Sequence, residues 1–177
     1  MTTTYPDNPL NEIPAPTTTL DRRVVIVDDT PDELAITSML LRKTGNVSGL
    51  VAFTDVVAAI EFFLSLGSRT SELPRLIVLD VNLPGMGGFD FLKWIRKRRL
   101  YDPVPVVMWT SSGYPANVQC AARLGAQGYF VKYPPIRTVT EMLAAADAFR
   151  GFSKQEEFFQ VGGNLLCVHL AQADTPD

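Results

Sequence analysis

Residues 76–88, Leu-Ile-Val-Leu-Asp-Val-Asn-Leu-Pro-Gly-Met-Gly-Gly, decide how the rest of the chain is read. Leu76 to Leu79 form a short unbroken apolar run, as expected of a strand buried on both faces of a parallel sheet. Asp80 ends the run, which places a carboxylate where such sheets bind ligands, just beyond the strand's carboxyl end. Pro84-Gly85 and Gly87-Gly88 cannot extend a strand and supply the permissive backbone of a tight loop. An isolated aspartate at such a position can do no more than bond nearby turn amides. Two other stretches argue for more than that.

Upstream, Arg22-Arg23 leads into Val24 to Val27, a second buried-strand run that ends in Asp28-Asp29. Thr30, Pro31 and Glu33 then predict a helix start, with Thr30 as N-cap, Pro31 in the first helical position and Glu33 completing a capping box. The helix is expected to reach about Lys43, where Gly45-Asn46 stops it. Asp28 and Asp29 could serve only that helix, through its dipole. Val47 to Phe53 reads as a strand, Asp55 to Leu66 as a helix with Val56, Ala59, Ile60 and Phe63 on one face, and Gly67 to Pro74 as a polar connection.

Downstream of the quoted stretch, Gly87 to Arg99 is predicted helical, with Phe91, Leu92 and Ile95 inward. Its far end carries Lys93, Arg96, Lys97, Arg98 and Arg99, a solvated basic helix end whose competing use is to dock an acidic partner. Val104 to Trp109 reads as a strand running into Thr110, Pro115 to Leu124 as a short helix, Gln127 to Val131 as a strand ending at Lys132, and Thr138 to Arg150 as a helix. Strands alternating with helices five times over argue for an α/β fold with a doubly wound five-stranded parallel sheet and helices on both faces.

The 177 residues, 46% apolar, suit one core with tails better than two domains. Residues 1–21 contain four prolines and few core formers and are expected to be a mobile tail, residues 22–150 the domain, and residues 151–177 an apolar extension that the domain or a second chain must cover. A net charge of −3 does not describe a general nucleic-acid binder. Cys120 and Cys167 lack metal-ligand spacing, and His169 is the only histidine, which excludes histidine-rich metal sites. The absence of an apolar run of membrane-spanning length and of a signal-peptide pattern predicts a cytoplasmic protein.

Right-handed crossovers put the carboxyl ends of parallel strands on one side, so Asp28, Asp29, Asp80, Thr110 and Lys132 are expected to converge. Carboxylates that close repel one another unless a cation sits among them, and a hard divalent ion, Mg²⁺ above all, suits oxygen ligands. With a hydroxyl and an ammonium opposite, the set forms a site for a transferred phosphoryl group, and Asp80 is the carboxylate placed to act as nucleophile.

Val-Val-Ile-Val-Asp28-Asp29, Asp80-x-x-Leu-Pro84-Gly-Met-x-Gly88, Val-Val-Met-Trp-Thr110 and Tyr129-Phe-Val-Lys132 resemble, in order and interval, the receiver domain of two-component response regulators. The resemblance covers roughly Arg22 to Arg150 and implies a flavodoxin-like sheet of strand order 2-1-3-4-5. It further implies that Asp80 accepts phosphate from a histidine kinase and that Asp28, Asp29, Asp80 and the backbone carbonyl of Asn82 hold Mg²⁺. Lys132 would contact the phosphoryl group, and Thr110 and Tyr129 would form the switch. The resemblance makes the protein a phosphoacceptor rather than an enzyme acting on a free substrate. The Asn82-Leu-Pro stretch and the aromatic extension are similar to stand-alone regulators that partner phytochrome-type kinases, which would make the extension a candidate homodimer contact. With no effector domain expected after Arg150, the output would be a change of surface.

The sequence departs from the family pattern in places. Ser111 replaces the small residue after the switch threonine. Trp109 is bulky for a strand end and is expected to pack in the core. Tyr133 interrupts the family's Lys-Pro pair, which leaves Tyr133-Pro134 and Pro134-Pro135 as candidates for a cis peptide. Two other readings compete: a receiver-like interaction module that works without phosphorylation, and a phosphatase of the haloacid dehalogenase class. The phosphatase would need a second aspartate two residues after the nucleophile, and Asn82 stands there.

Overall fold

A computed structural model describes residues 23–149; the predicted N-terminal tail and C-terminal extension lie outside them. Five parallel strands, β1 (Arg23–Val27), β2 (Gly49–Phe53), β3 (Leu76–Leu79), β4 (Val106–Thr110) and β5 (Gly128–Val131), form one sheet in the order β2-β1-β3-β4-β5. Four helices connect them, α1 (Pro31–Lys43), α2 (Val56–Leu66), α3 (Gly88–Arg96) and α4 (Pro115–Arg123), and a fifth, α5 (Ile136–Ala148), follows β5. The doubly wound sheet and strand order are those expected from the sequence.

Alternate side chains of the central strands feed two cores, because successive strand residues face opposite ways. Val25, Val27, Ile77, Leu79, Val106 and Met108 pack against α2, α3 and α4, while Val24, Ile26, Leu76, Val78, Val107 and Trp109 pack against α1 and α5. Burying each such side chain stabilises the fold by about 1.5–3 kcal/mol. Trp109 is 1% exposed, beside Phe130, the core role expected of it.

Local chemistry sets the helix ends. Pro31 opens α1, with Asp32 and Glu33 in its first turn and Arg42 and Lys43 in its last, both favourable to the helix dipole. The expected capping box does not form: Thr30 makes no side-chain cap bond, and Glu33 is drawn to a lysine instead. The side chain that does cap is Asp55, which accepts the Ala58 N–H at 2.8 Å.

α3 ends at Arg96, three residues before the predicted stop. Arg96 reaches across to the carbonyls of Gly125 and Val104 and to Gln127 Oε1 at 2.8, 3.0 and 2.6 Å, while a 3₁₀ turn at Arg99–Tyr101 tucks Tyr101 into the core. Arg98 stacks over Trp94 at 3.9 Å and Lys93 pairs with Asp90. Much of the basic run is therefore structural. Among the described residues every peptide bond is trans, so neither Tyr133-Pro134 nor Pro134-Pro135 is cis, and Tyr133 instead takes φ +64°.

Candidate functional site at the carboxyl end of the sheet

The central strands deliver their next residues to one edge. Asp28 and Asp80 follow β1 and β3 directly, and Lys132 follows β5. Each is held by a continuation of the ladder: the backbone N–H of Asp28 donates to Phe53 O, that of Asp80 to Val27 O, and that of Lys132 to Thr110 O. The loop after Asp80 folds back tightly, with the Gly88 N–H donating to Val81 O. A Cβ at Gly88 would stand 2.0 Å from the Asp80 carbonyl oxygen, so only glycine lets α3 start this close to the strand end.

The ammonium of Lys132 sits among carboxylates, 2.8 Å from Asp28 Oδ2 and 3.1 Å from Asp80 Oδ2, and it also donates to Glu33 Oε2. Its side chain is 3% exposed, against 2% for Asp28 and 7% for Asp80. Both aspartates divide their oxygens in the same way. Asp28 Oδ1 accepts the Thr30 N–H at 3.0 Å and Asp80 Oδ1 accepts the Val81 N–H at 2.7 Å, leaving each Oδ2 to the lysine. Burial alone would lower the lysine's pKa, but the hydrogen bonds it donates to Asp28, Glu33 and Asp80 outweigh it and hold the pKa above the ordinary value.

Three carboxylates against one ammonium leave the pocket with excess negative charge, and one ligand oxygen from each of Asp28, Glu33 and Asp80 lies within 4.8 Å of the others. The donor set is that of a hard divalent cation: all oxygen, all anionic, with charge still to be neutralised. Asp29 and Asn82 are exposed beside the pocket and are not part of this cluster. Glu33 is the residue that sequence reasoning missed. Its spacing from Thr30 signalled a helix cap, and nothing local indicated a partner 99 residues away.

Thr110 is fully buried, and its hydroxyl accepts the Ser112 N–H at 3.5 Å. Tyr129 is 2% exposed and donates its hydroxyl to Ser112 O at 2.7 Å. Ser112 therefore ties the two residues together through its own backbone. Burial pushes the Tyr129 phenol pKa up, a hydrogen bond with the Asn117 side chain opposes this, and the charge of Asp80 adds to it. Beyond Lys132 a groove of about 340 Å³ opens, lined by Tyr129, Val131, Pro134, Pro135 and Thr138 among others.

Residues 24–144, more than half of the chain, match the family described as the response regulator receiver domain. The chain belongs to that family. The rice two-component response regulator ORR1 is 25% identical over 112 residues, which cover 62% of this chain but 48% of the rice protein. A chemotaxis protein CheY homolog from Campylobacter jejuni is 27% identical over 110 residues and is covered to 80%. The chain thus spans about half the length of the first of these curated relatives.

Among solved structures, Vibrio cholerae chemotaxis protein CheY4 superposes with a TM-score of 0.59 at 27% identity, covering 70% of this chain and 97% of that one. The Mn(2+)-bound form of response regulator Rcp1 gives a TM-score of 0.54 at 26% identity, with coverage of 72% and 93%. The bacteriophytochrome response regulator AtBRR gives 0.61 at 23% identity, covering 76% and 98%, a likeness of fold. Receiver domains as a family are signalling phosphoacceptors.

Proposed function

We propose that the protein is a response regulator phosphorylated on Asp80 by a histidine kinase, and that it signals through the surface around α4 and β5. The observation that carries the reading is the placement of the Lys132 ammonium 3.1 Å from Asp80 Oδ2 and 2.8 Å from Asp28 Oδ2, three groups from three strands meeting in one pocket. A carboxylate oxygen of Asp80 attacks phosphorus, the P–N bond of the phosphohistidine breaks, and the bond's electron pair leaves with the imidazole. Lys132 holds positive charge against the phosphoryl oxygens. Asp28 and Asp80, with Asp29 and the Asn82 carbonyl at the pocket's exposed edge, would hold Mg²⁺, which when bound neutralises charge on the transferring group.

The link through Ser112 supports the readout. When Thr110 turns its hydroxyl toward the phosphoryl group it gives up the Ser112 N–H, and the Tyr129 hydroxyl, bonded to Ser112 O, follows that backbone. The phosphoryl group then favours one of two surface conformers, a population shift. In the same reading the kinase is of phytochrome type, the protein forms a homodimer, the setting is the cytoplasm, and neither nucleic acid nor membrane is a partner. Among the described residues no helix is long and apolar enough to cross a membrane. Sedimentation across a concentration series tests the dimer, and a monomeric mass throughout removes it.

The deciding experiment is intact-mass measurement after incubation with Mg²⁺ and acetyl phosphate, for the wild type and Asp80→Asn. Uptake of a single phosphoryl group by the wild type alone is expected. No uptake would leave an interaction module that works without phosphorylation, and turnover of added phosphomonoesters would favour the phosphatase.

A further inference from the structure

A lysine ammonium has three N–H donors and no acceptor. Here each of the three carboxylates around Lys132 accepts from it: Asp28, Asp80 and Glu33. Asp28 and Asp80 have parts in phosphotransfer. Glu33 lends an oxygen to the anionic cluster but has no part in the transfer itself, yet it reaches in from the first turn of α1 to a lysine whose side chain is 3% exposed, while its own side chain remains 31% exposed.

We propose that Glu33 is a positioning residue, a releasable latch that holds Lys132 in the unphosphorylated protein and competes with the phosphoryl group for it. The proposal rests on phosphorylation at Asp80. Two features of the pocket give the latch its direction. A phosphoryl group on Asp80 brings three strong acceptor oxygens and further negative charge into a pocket whose anions already outnumber its cation. Lys132 can serve more than one of those oxygens only by releasing a present partner, because its donors are spent. Glu33 is the partner free to leave: both aspartates are fixed by backbone amides through their other oxygen, whereas Glu33 stands at the pocket's solvent edge. Its carboxylate also repels the incoming group, so it opposes phosphorylation twice, by holding the donor and by its charge.

The test compares wild type, Glu33→Gln and Glu33→Ala. Acetyl phosphate is the donor; its P–O bond to acetate breaks and acetate leaves with the electron pair. Mg²⁺ is kept at a level where each protein's response has flattened. Steady-state phosphoryl occupancy is read by intact mass, and the Lys132 ε-ammonium resonance by ¹H–¹⁵N NMR. Occupancy rising several-fold in both variants, with the Lys132 resonance displaced before any donor is added and melting temperatures close to wild type, is the expected result. A purely structural Glu33 would move the melting temperature without raising occupancy, and that outcome overturns the latch. A higher Mg²⁺ requirement with unchanged occupancy at saturation would make Glu33 a metal ligand instead, and likewise overturns it. If the wild type takes up no phosphoryl group, the reading of Asp80 fails and the latch fails with it; if only the variants' gain is missing, the latch alone fails.

Discussion

Lys132 and Arg96 are two cations held at opposite ends of the same sheet by different kinds of oxygen. Arg96 bonds the carbonyls of Gly125 and Val104 and the amide of Gln127, three neutral acceptors. Lys132 is met by three carboxylates. Neutral acceptors bring no charge of their own into the site they build. Carboxylates in excess leave a pocket that still attracts positive charge and can exchange partners. The Arg96 end fastens α3 to the loops before β4 and β5; the Lys132 end is where chemistry can happen.

The severest way to break this comparison is to deform the pocket wall. Gly88→Ala would drive a methyl group into the Asp80 carbonyl and is expected to cost about 4 kcal/mol in urea denaturation, with loss of any Mg²⁺ response. A small loss with the response intact would mean that the close approach of α3 does not shape the site. Lys132→Met leaves three carboxylates facing one another and should cost about 3 kcal/mol in chelator, with most of it returned by Mg²⁺. Arg96→Leu should cost about 2 kcal/mol whether or not Mg²⁺ is present, because the carbonyls and amide it abandons lie at the other end of the sheet from the carboxylate pocket. Equal Mg²⁺ rescue of both variants would erase the contrast.

The smallest effect belongs to Tyr129. Tyr129→Phe removes the hydroxyl's hydrogen bonds to Ser112 O and with the Asn117 side chain and should cost about 1 kcal/mol by thermal melting. It should also flatten part of the alkaline loss of stability. Tyr129 and Lys132 both have raised folded-state values, so the folded protein binds protons more tightly than the unfolded chain. Their contribution is whole below the unfolded values near pH 10 and declines as the pH rises through the folded ones. Melting curves recorded from pH 9 upward should show the decline setting in for wild type and weakening in each variant.

The sheet and most of the pocket were legible in the sequence because they are written locally. Four-residue apolar runs such as Leu76 to Leu79 announce buried strands, and a parallel topology then gathers whatever follows them. Asp28, Asp80 and Lys132 could be placed together on that rule alone. What stayed hidden depends on reach. Glu33 carried a local helix-cap signal that a distant lysine overrides, and the end of α3 at Arg96 is set by carbonyls across the fold rather than by a nearby glycine. Gly88 read as one more turn glycine until the Asp80 carbonyl appeared above it. The φ of Tyr133, the one non-glycine residue with positive φ among those described, has no counterpart in a pattern of apolar and polar letters.

Trp109 immediately precedes Thr110, sealed between the sheet and the α1–α5 layer, while the chain's other tryptophan, Trp94, lies stacked between Phe91 and Tyr101 on the opposite side. The protein thus carries two natural fluorophores in unlike surroundings, one on the switch strand and one packed on the other side of the sheet. Any displacement at the end of β4 is transmitted to the emission of the first, with the second as an internal standard, so the molecule can be watched at work without an added dye.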